Sequence, residues 1–215
     1  MGRVEVASDT LHSLGSLETR GTRAMVTAFL VSFGVIFVAE LGDKSQLMAL
    51  AFATRYRFVP VMIGITAATA LVHGVSVLVG AALGASIPTK PITVVAGIAF
   101  LVFGAWTLRG DELTEADERR AATQSSKSTV LTVGAVFFLA ELGDKTMLAT
   151  ITLATQGGLF GTWLGSTLGM VVADALAIAA GRLLGKHLPE RAVRWGAAGA
   201  FFAFGVALLI DAVLA

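Results

Sequence analysis

Two short polar stretches interrupt long apolar runs of this chain. The first motif is Glu40-Leu41-Gly42-Asp43-Lys44-Ser45, and the second motif, 101 residues later, is Glu141-Leu142-Gly143-Asp144-Lys145-Thr146. Each motif brings two carboxylates, one ammonium group and one hydroxyl into an apolar segment. A charged side chain at bilayer depth costs about 2.5–3.5 kcal/mol on insertion scales, so such residues indicate a functional site.

The residue types of the two motifs favour binding of a hard divalent cation. If both motifs face one space, four carboxylates converge there: Glu40, Asp43, Glu141 and Asp144. Ser45, Thr146 and the neighbouring Gln46 add neutral oxygens. Oxygen ligands suit Ca²⁺, Mn²⁺ or Mg²⁺, and the chain has no cysteine that could supply a thiolate. With Lys44 and Lys145 ionised, four negative and two positive charges leave −2, which one divalent cation neutralises.

The same site is suited to exchanging a cation for protons. When no cation is bound, mutual repulsion and lost hydration favour protonation of the carboxylates. Metal and protons then compete for one site. Lys44 and Lys145 are predicted either to gate the site or to snorkel to an interface. His73 and Asp174, which occupy equivalent positions in the two halves of the chain, are candidates for proton coupling.

The composition predicts an all-α polytopic membrane protein. The chain is 55% hydrophobic and 14% charged, whereas soluble domains carry about 25% charge. Because a spanning helix needs about 20 apolar residues, we expect six transmembrane helices, at residues 24–53, 59–83, 92–108, 129–154, 159–184 and 195–214. On a continuous first helix, Glu40, Asp43 and Lys44 share one face. Gly42 and Gly143 permit either close backbone approach or a break in the helix.

The six predicted helices form two equivalent sets of three. The halves align without a gap at an offset of 101, which pairs Gly64 with Gly165 and Gly80 with Gly181. The predicted organisation is a polar N-terminal tail, a first three-helix repeat, a charged cytoplasmic linker and a second three-helix repeat, at residues 1–23, 24–108, 109–128 and 129–215. Because three is odd, the repeats enter the membrane from opposite sides. Inverted-topology repeats of this kind place a transport site near the midplane.

The charges of the loops predict the orientation in the cell membrane. One side carries 4 Lys and Arg residues, and the side that holds the central linker carries 10. The positive-inside rule therefore makes the linker cytoplasmic and puts both termini outside the cytoplasm. Six helices complete an inverted pair, so a monomer is sufficient, and a homodimer stays open.

Other classes of function fit the sequence less well. The net charge is +1 and no basic patch interleaved with aromatic residues occurs, so nucleic acid is not an expected partner. Neither a Ser/His pattern nor a metalloprotease motif is present, so the chain is not expected to be an enzyme. No prosthetic group is expected either. Two alternatives stay open: a passive divalent-cation channel, and an exporter of a small organic cation on a related fold.

The paired motifs resemble the Glu-x-Gly-Asp-Lys/Arg-Ser/Thr signature of the Gdt-type cation/proton exchangers. The resemblance runs from about Ala24 to the C-terminus and includes both motifs, their spacing and the duplicated six-helix layout. It implies transport of Mn²⁺ and/or Ca²⁺ coupled to protons, with Glu40, Asp43, Glu141 and Asp144 as metal ligands. It also implies a cytoplasmic linker and, as in prokaryotic members, manganese export. The short linker and the lack of a cleavable leader resemble a bacterial member.

Overall fold

The computed structural model describes residues 2–109, 128–156, 158–184 and 190–214, and these ranges contain only helices and their connections. The described residues form eight helices, in chain order α1 (Gly2–Glu40), α2 (Lys44–Arg55), α3 (Phe58–Ser86), α4 (Thr89–Arg109), α5 (Thr129–Glu141), α6 (Lys145–Ala154), α7 (Leu159–Leu184) and α8 (Glu190–Leu214). The predicted linker, residues 109–128, lies outside the described residues except at its two ends. The predicted N-terminal tail is helical from Gly2 and continuous with the first apolar helix.

The first and fourth predicted helices are each broken at a motif. Gly42 has a φ of 75° and Gly143 a φ of 80°, in the left-handed region that glycine adopts far more readily than other residues. The prediction that Glu40, Asp43 and Lys44 share the face of one continuous helix was therefore wrong, because α1 ends at Glu40 and α2 begins at Lys44. Of the two roles predicted for the motif glycines, a break in the helix is the one found.

Five helical segments are long and apolar enough to cross a membrane: Arg20–Glu40, Phe58–Ser86, Thr89–Arg109, Leu159–Gly181 and Arg194–Leu214. The fourth predicted span is divided into α5, with 13 residues, and α6, with 10. Neither piece is long enough by itself to qualify, because a span needs about 20 residues. The described residues thus form an all-α membrane protein with five candidate spans and one interrupted apolar segment.

The two halves pack against each other through equivalent contacts. A Cβ atom added at Gly64 of α3 would lie 2.9 Å from the carbonyl oxygen of Val130 in α5. In the same way, a Cβ atom at Gly165 of α7 would meet the carbonyl oxygen of Phe29 in α1. Residues 29 and 130, like 64 and 165, are 101 apart in the sequence. Glycine at both positions lets the helix backbones approach closely, so the same kind of close contact occurs at equivalent positions in the two halves.

The third helices of the two halves run antiparallel to each other. The ring centroids of Phe100 and Phe204 are 4.8 Å apart, and those of Phe103 and Phe201 are 6.0 Å apart. Residue numbers therefore rise along α4 while they fall along α8. Phe100 also contacts Phe201 at 5.9 Å, and these two residues are equivalent in the two halves. A two-fold pseudo-symmetry axis that passes between them accounts for both observations.

The second helices of the two halves also meet at equivalent positions. The hydroxyl of Thr69 in α3 lies 3.4 Å from the sulfur of Met170 in α7, and these residues are 101 positions apart. Both side chains are fully buried. A two-fold pseudo-symmetry axis that also passes between these two side chains accounts for this contact.

Candidate functional site

The four motif acids lie at the ends of interrupted helices. Glu40 is the last residue of α1 and Glu141 the last residue of α5. Asp43 and Asp144 are the N-caps of α2 and α6, and neither makes a side-chain capping hydrogen bond. A helix C-terminus carries a partial negative charge from its unpaired carbonyl groups, which favours a cation nearby. Each break therefore brings carboxylates and helix-end carbonyls to the same depth of the protein.

Each motif lysine forms an ion pair with the aspartate of the other motif. Lys145 Nζ lies 2.5 Å from Asp43 Oδ1, and Lys44 Nζ lies 3.7 Å from Asp144 Oδ1. The two pairs are equivalent under the offset of 101. Both side chains of the first pair are almost fully buried, whereas 25% of the Lys44 side chain is exposed. Both lysines therefore reach across the interface between the halves.

The motif hydroxyls bind the glutamates of their own motifs. Ser45 Oγ donates a hydrogen bond to Glu40 Oε1 and lies 3.1 Å from Asp43 Oδ2. Thr146 Oγ1 donates to Glu141 Oε2 at 3.0 Å. One oxygen of each glutamate, Glu40 Oε2 and Glu141 Oε1, is buried without a hydrogen-bond partner among the described residues. Both oxygens can therefore accept a proton or contact a cation.

Gln46, predicted as a neutral oxygen of the site, hydrogen-bonds two backbone groups. Its side-chain oxygen accepts a hydrogen bond from the Gly42 N–H at 2.8 Å, and its amide nitrogen donates to the carbonyl oxygen of Ala173 in α7 at 3.1 Å. These two hydrogen bonds of Gln46 connect the break in the first half to α7. At the equivalent position, the sulfur of Met147 accepts a hydrogen bond from the Gly143 N–H at 3.1 Å.

Asp174 and His73 are both fully buried, on α7 and α3 respectively. Neither carboxylate oxygen of Asp174 and neither ring nitrogen of His73 has a hydrogen-bond partner within the described part of the chain. Asp174 is close enough to Asp43, Glu40 and Glu141 to interact with their charges. Asp174 is therefore a fifth acid close to the four motif acids.

The acids are gathered but do not surround one point at coordination distance. In the described ranges, no group of three or more His, Asp or Glu residues is arranged to hold a metal ion. The lysines and hydroxyls contact oxygen atoms of these carboxylates instead.

Sequence reasoning did not identify the backbone groups of the site. The carbonyl of Ala173 contacts Gln46, and the N–H groups of Gly42 and Gly143 contact side chains one turn further on. Glycine two residues after each glutamate is the signal that could have placed a helix end there.

The fold and the site together define a class of protein. Discontinuous membrane helices that meet at buried charged residues, in two equivalent halves, are the architecture of secondary transporters.

Comparison with known sequences identifies the family. The sequence model described as "Divalent cation/proton antiporter GDT1" matches residues 28–115 and 129–215, and this chain belongs to that family. The two matched parts begin 101 residues apart, which agrees with the repeat. The predictions of a cation/proton exchanger, of the Gdt-type family and of a protein that is not an enzyme are confirmed.

Related proteins come from bacteria and from chloroplasts. A Vibrio cholerae protein named "Putative manganese exporter" is 30% identical over 189 residues, which cover 86% of this chain and 92% of that protein. The "GDT1-like protein sll0615" of Synechocystis is 30% identical over 85% of this chain and 96% of its own length. The "GDT1-like protein 2, chloroplastic" of rice is 34% identical over 84% of this chain and 60% of its own length. No solved structure gives a significant match.

Proposed function

We propose that this antiporter exchanges Mn²⁺ and/or Ca²⁺ for protons at the site formed by the two motifs, and exports the metal from the cytoplasm. The reciprocal ion pairs between Lys145 and Asp43 and between Lys44 and Asp144 are the observation that carries the proposal. They join the two halves through the charged groups that a divalent cation would contact. The metal ligands are Glu40, Asp43, Glu141 and Asp144, with Ser45 and Thr146 as neighbouring oxygens.

The lysines act as internal counter-ions of the cation-free site. Two aspartates held by two ammonium groups need no metal to balance their charge. With both lysines ionised, the four carboxylates still leave a net charge of −2, which two protons balance in the cation-free site. A bound divalent cation supplies the same two positive charges, so its binding releases the protons and its departure lets protons bind again.

The unequal ion pairs support alternating access to this site. Lys145 and Asp43 are closed off together, whereas Lys44 is partly exposed beside Asp144. An inverted repeat requires a second state in which the two pairs exchange their roles. The present arrangement is then the state that is accessible from the Lys44 side.

The proposed topology has six membrane crossings, the first and fourth of which are broken helices. The antiparallel packing of α4 and α8 supports repeats of opposite orientation. The excess of Lys and Arg beside the linker supports a cytoplasmic linker and termini outside the cytoplasm. The repeats span residues 24–108 and 129–215, preceded by the tail at 1–23 and joined by the linker at 109–128. One such chain contains a complete site and is sufficient as a monomer.

The name of the bacterial relative and the types of ligand favour manganese as the substrate. Carboxylate oxygens suit both Mn²⁺ and Ca²⁺. The aligned Vibrio cholerae protein, named for manganese, matches over 92% of its length. Manganese is therefore the first substrate to test, with Ca²⁺ as its competitor.

Transport into proteoliposomes tests the proposal. Mn²⁺ should accumulate against its own gradient when a proton gradient of the opposite direction is imposed, and Ca²⁺ should compete. Glu40→Gln and Glu141→Gln should each abolish accumulation, whereas Ser86→Ala, a change at the exposed end of α3, should leave it unchanged. Flux that only runs downhill would indicate a channel instead. Retained accumulation in either glutamine variant would overturn the shared site, and competition by organic amines but not by Ca²⁺ would indicate an organic-cation exporter.

A further inference from the structure

Asp174 is a buried acid that lies outside both motifs. It is fully buried in α7, and neither of its carboxylate oxygens has a hydrogen-bond partner among the described residues. Burying a polar group without compensation is costly, and burying a charge costs more. Binding of a proton or a cation would compensate for this burial.

Asp174 lies on the α2 side of the central site. The preceding residue, Ala173, accepts a hydrogen bond at 3.1 Å from Gln46, which also holds the Gly42 N–H at the first break. Asp174 also lies within electrostatic reach of Asp43, Glu40 and Glu141. The hydrogen bond from Gln46 holds α7 at Ala173 against the first turn of α2, so Asp174 lies beside this end of α2.

The equivalent place in the other half has different chemistry. His73 takes the position of Asp174, and Met147 takes the position of Gln46. A thioether sulfur accepts hydrogen bonds weakly and cannot donate one, so Met147 cannot form a bridge like that between Gln46 and Ala173. The backbones of the two halves pack equivalently, but the side chains differ. One side of the site has an extra carboxylate, and the equivalent side has an imidazole, which can be neutral.

We propose that Asp174 is an accessory cation-binding residue that contacts the divalent cation on the α2 side of the central site. This inference rests on the proposed function, because it takes the four motif acids as the main ligands. Helix α2 runs from the site to Arg55. Arg55 and Arg57 belong to a loop that the counts of Lys and Arg predict to be cytoplasmic. Asp174 thus raises the affinity for the cation on the face from which an exporter collects its substrate, and His73 keeps the affinity on the opposite face lower.

Equilibrium binding of Mn²⁺ to the purified full chain in detergent tests this role. Asp174→Asn should weaken Mn²⁺ binding about tenfold, the size expected for the loss of one contact with a charged group. Asp174→Glu, which keeps the charge, should recover most of the affinity. Thr167→Val is a matched control, because Thr167 is a buried residue of the same helix whose hydroxyl has no partner among the described residues; it should bind as the parent does. Unchanged affinity in Asp174→Asn would overturn the proposal.

Labelling of a single cysteine gives a second readout that does not depend on affinity. The parent chain has no cysteine, so Asp174→Cys creates a single thiol. A membrane-impermeant thiol reagent should modify it from one face only in oriented vesicles, and Mn²⁺ should slow the modification. Modification that is equal from both faces, or that Mn²⁺ does not slow, would refute the accessory role.

The two proposals can fail separately. If Glu40→Gln abolishes Mn²⁺ binding while Asp174→Asn leaves the affinity unchanged, the accessory role is wrong and the central site stands. If Glu40→Gln binds Mn²⁺ as the parent does, the proposed central site is wrong, and a tenfold loss in Asp174→Asn would then show a cation site centred on Asp174 alone.

Discussion

Lys145 of the second half lies 2.5 Å from Asp43 of the first half, while the equivalent pair, Lys44 and Asp144, is separated by 3.7 Å. Both pairs join the same residue types at equivalent positions. A perfectly symmetric arrangement would give them equal length and burial. The Lys145–Asp43 pair is therefore shorter and more buried than the Lys44–Asp144 pair, in a molecule whose helices otherwise pack as equivalent halves.

Removing the buried lysine should destabilise the protein more than removing the partly exposed one. Lys145→Met leaves Asp43 in a buried place without its partner, and breaking a buried ion pair from one side costs about 3–5 kcal/mol. In Lys44→Met the lost pair is longer, at 3.7 Å, and its lysine is 25% exposed, so we expect a smaller cost of about 1–3 kcal/mol even though Asp144 is buried. Unfolding of both variants in detergent measures the difference. Equal losses of stability would contradict the asymmetry.

The break in the second half depends on the left-handed conformation of Gly143. A Cβ atom at this position meets no other atom within 4 Å, so Gly143→Ala tests the backbone conformation alone. A left-handed conformation costs a residue other than glycine roughly 1–2 kcal/mol, and we expect a stability loss of that size together with slower Mn²⁺ transport.

Gly199→Ala is the control for the Gly143 variant. Gly199 also has open space around its Cα atom, but it lies inside α8. Alanine in a helix interior is more stable than glycine by about 0.5–1 kcal/mol, so this variant should be neutral or stabilised. If both alanine variants gain stability, the break does not depend on a left-handed conformation at Gly143.

The close contact between α1 and α7 should not tolerate an added methyl group. A Cβ atom at Gly165 meets the carbonyl oxygen of Phe29, and backbone atoms cannot move aside as a side-chain tip can. Overpacking of this kind typically costs about 1–3 kcal/mol, so Gly165→Ala should lower the unfolding temperature. Gly34→Ala, at a position of α1 with nothing within 4 Å, is the matched control and should not. A stable Gly165→Ala protein would contradict the packing of α1 against α7.

The proposed topology places the two short interhelical turns on opposite faces of the membrane. Arg57 lies between α2 and α3, and Gln156 lies between α6 and α7; both are exposed. In intact cells, an impermeant thiol reagent should label Gln156→Cys and should reach Arg57→Cys only after the membrane is permeabilised. The parent chain, which has no cysteine, controls for background. Labelling of both from the same face would refute the inverted arrangement.

Much of the fold followed from composition and spacing. Apolar runs predicted the positions of α3, α4, α7 and α8, because a continuous span of about 20 apolar residues has few other structures available to it. The offset of 101 predicted that residues of the two halves would be equivalent, and the contacts of Gly64 and Gly165 show that packing. The prediction that the first and fourth spans are continuous helices was wrong. Glycine is common in membrane helices, so its presence did not distinguish a break from a close contact.

The sequence by itself determined the class of protein, the duplication and the acids of the candidate site, because ionisable residues in apolar runs are rare enough to stand out without a structure. Only the tertiary structure decided how these residues are paired. Lys145 could as readily have paired with Asp144 beside it as with Asp43, which is 102 residues away. The choice depends on where the breaks at Gly42 and Gly143 point the ends of α2 and α6. Periodicity carries no information about that direction, since it is set by the packing of the two halves against each other.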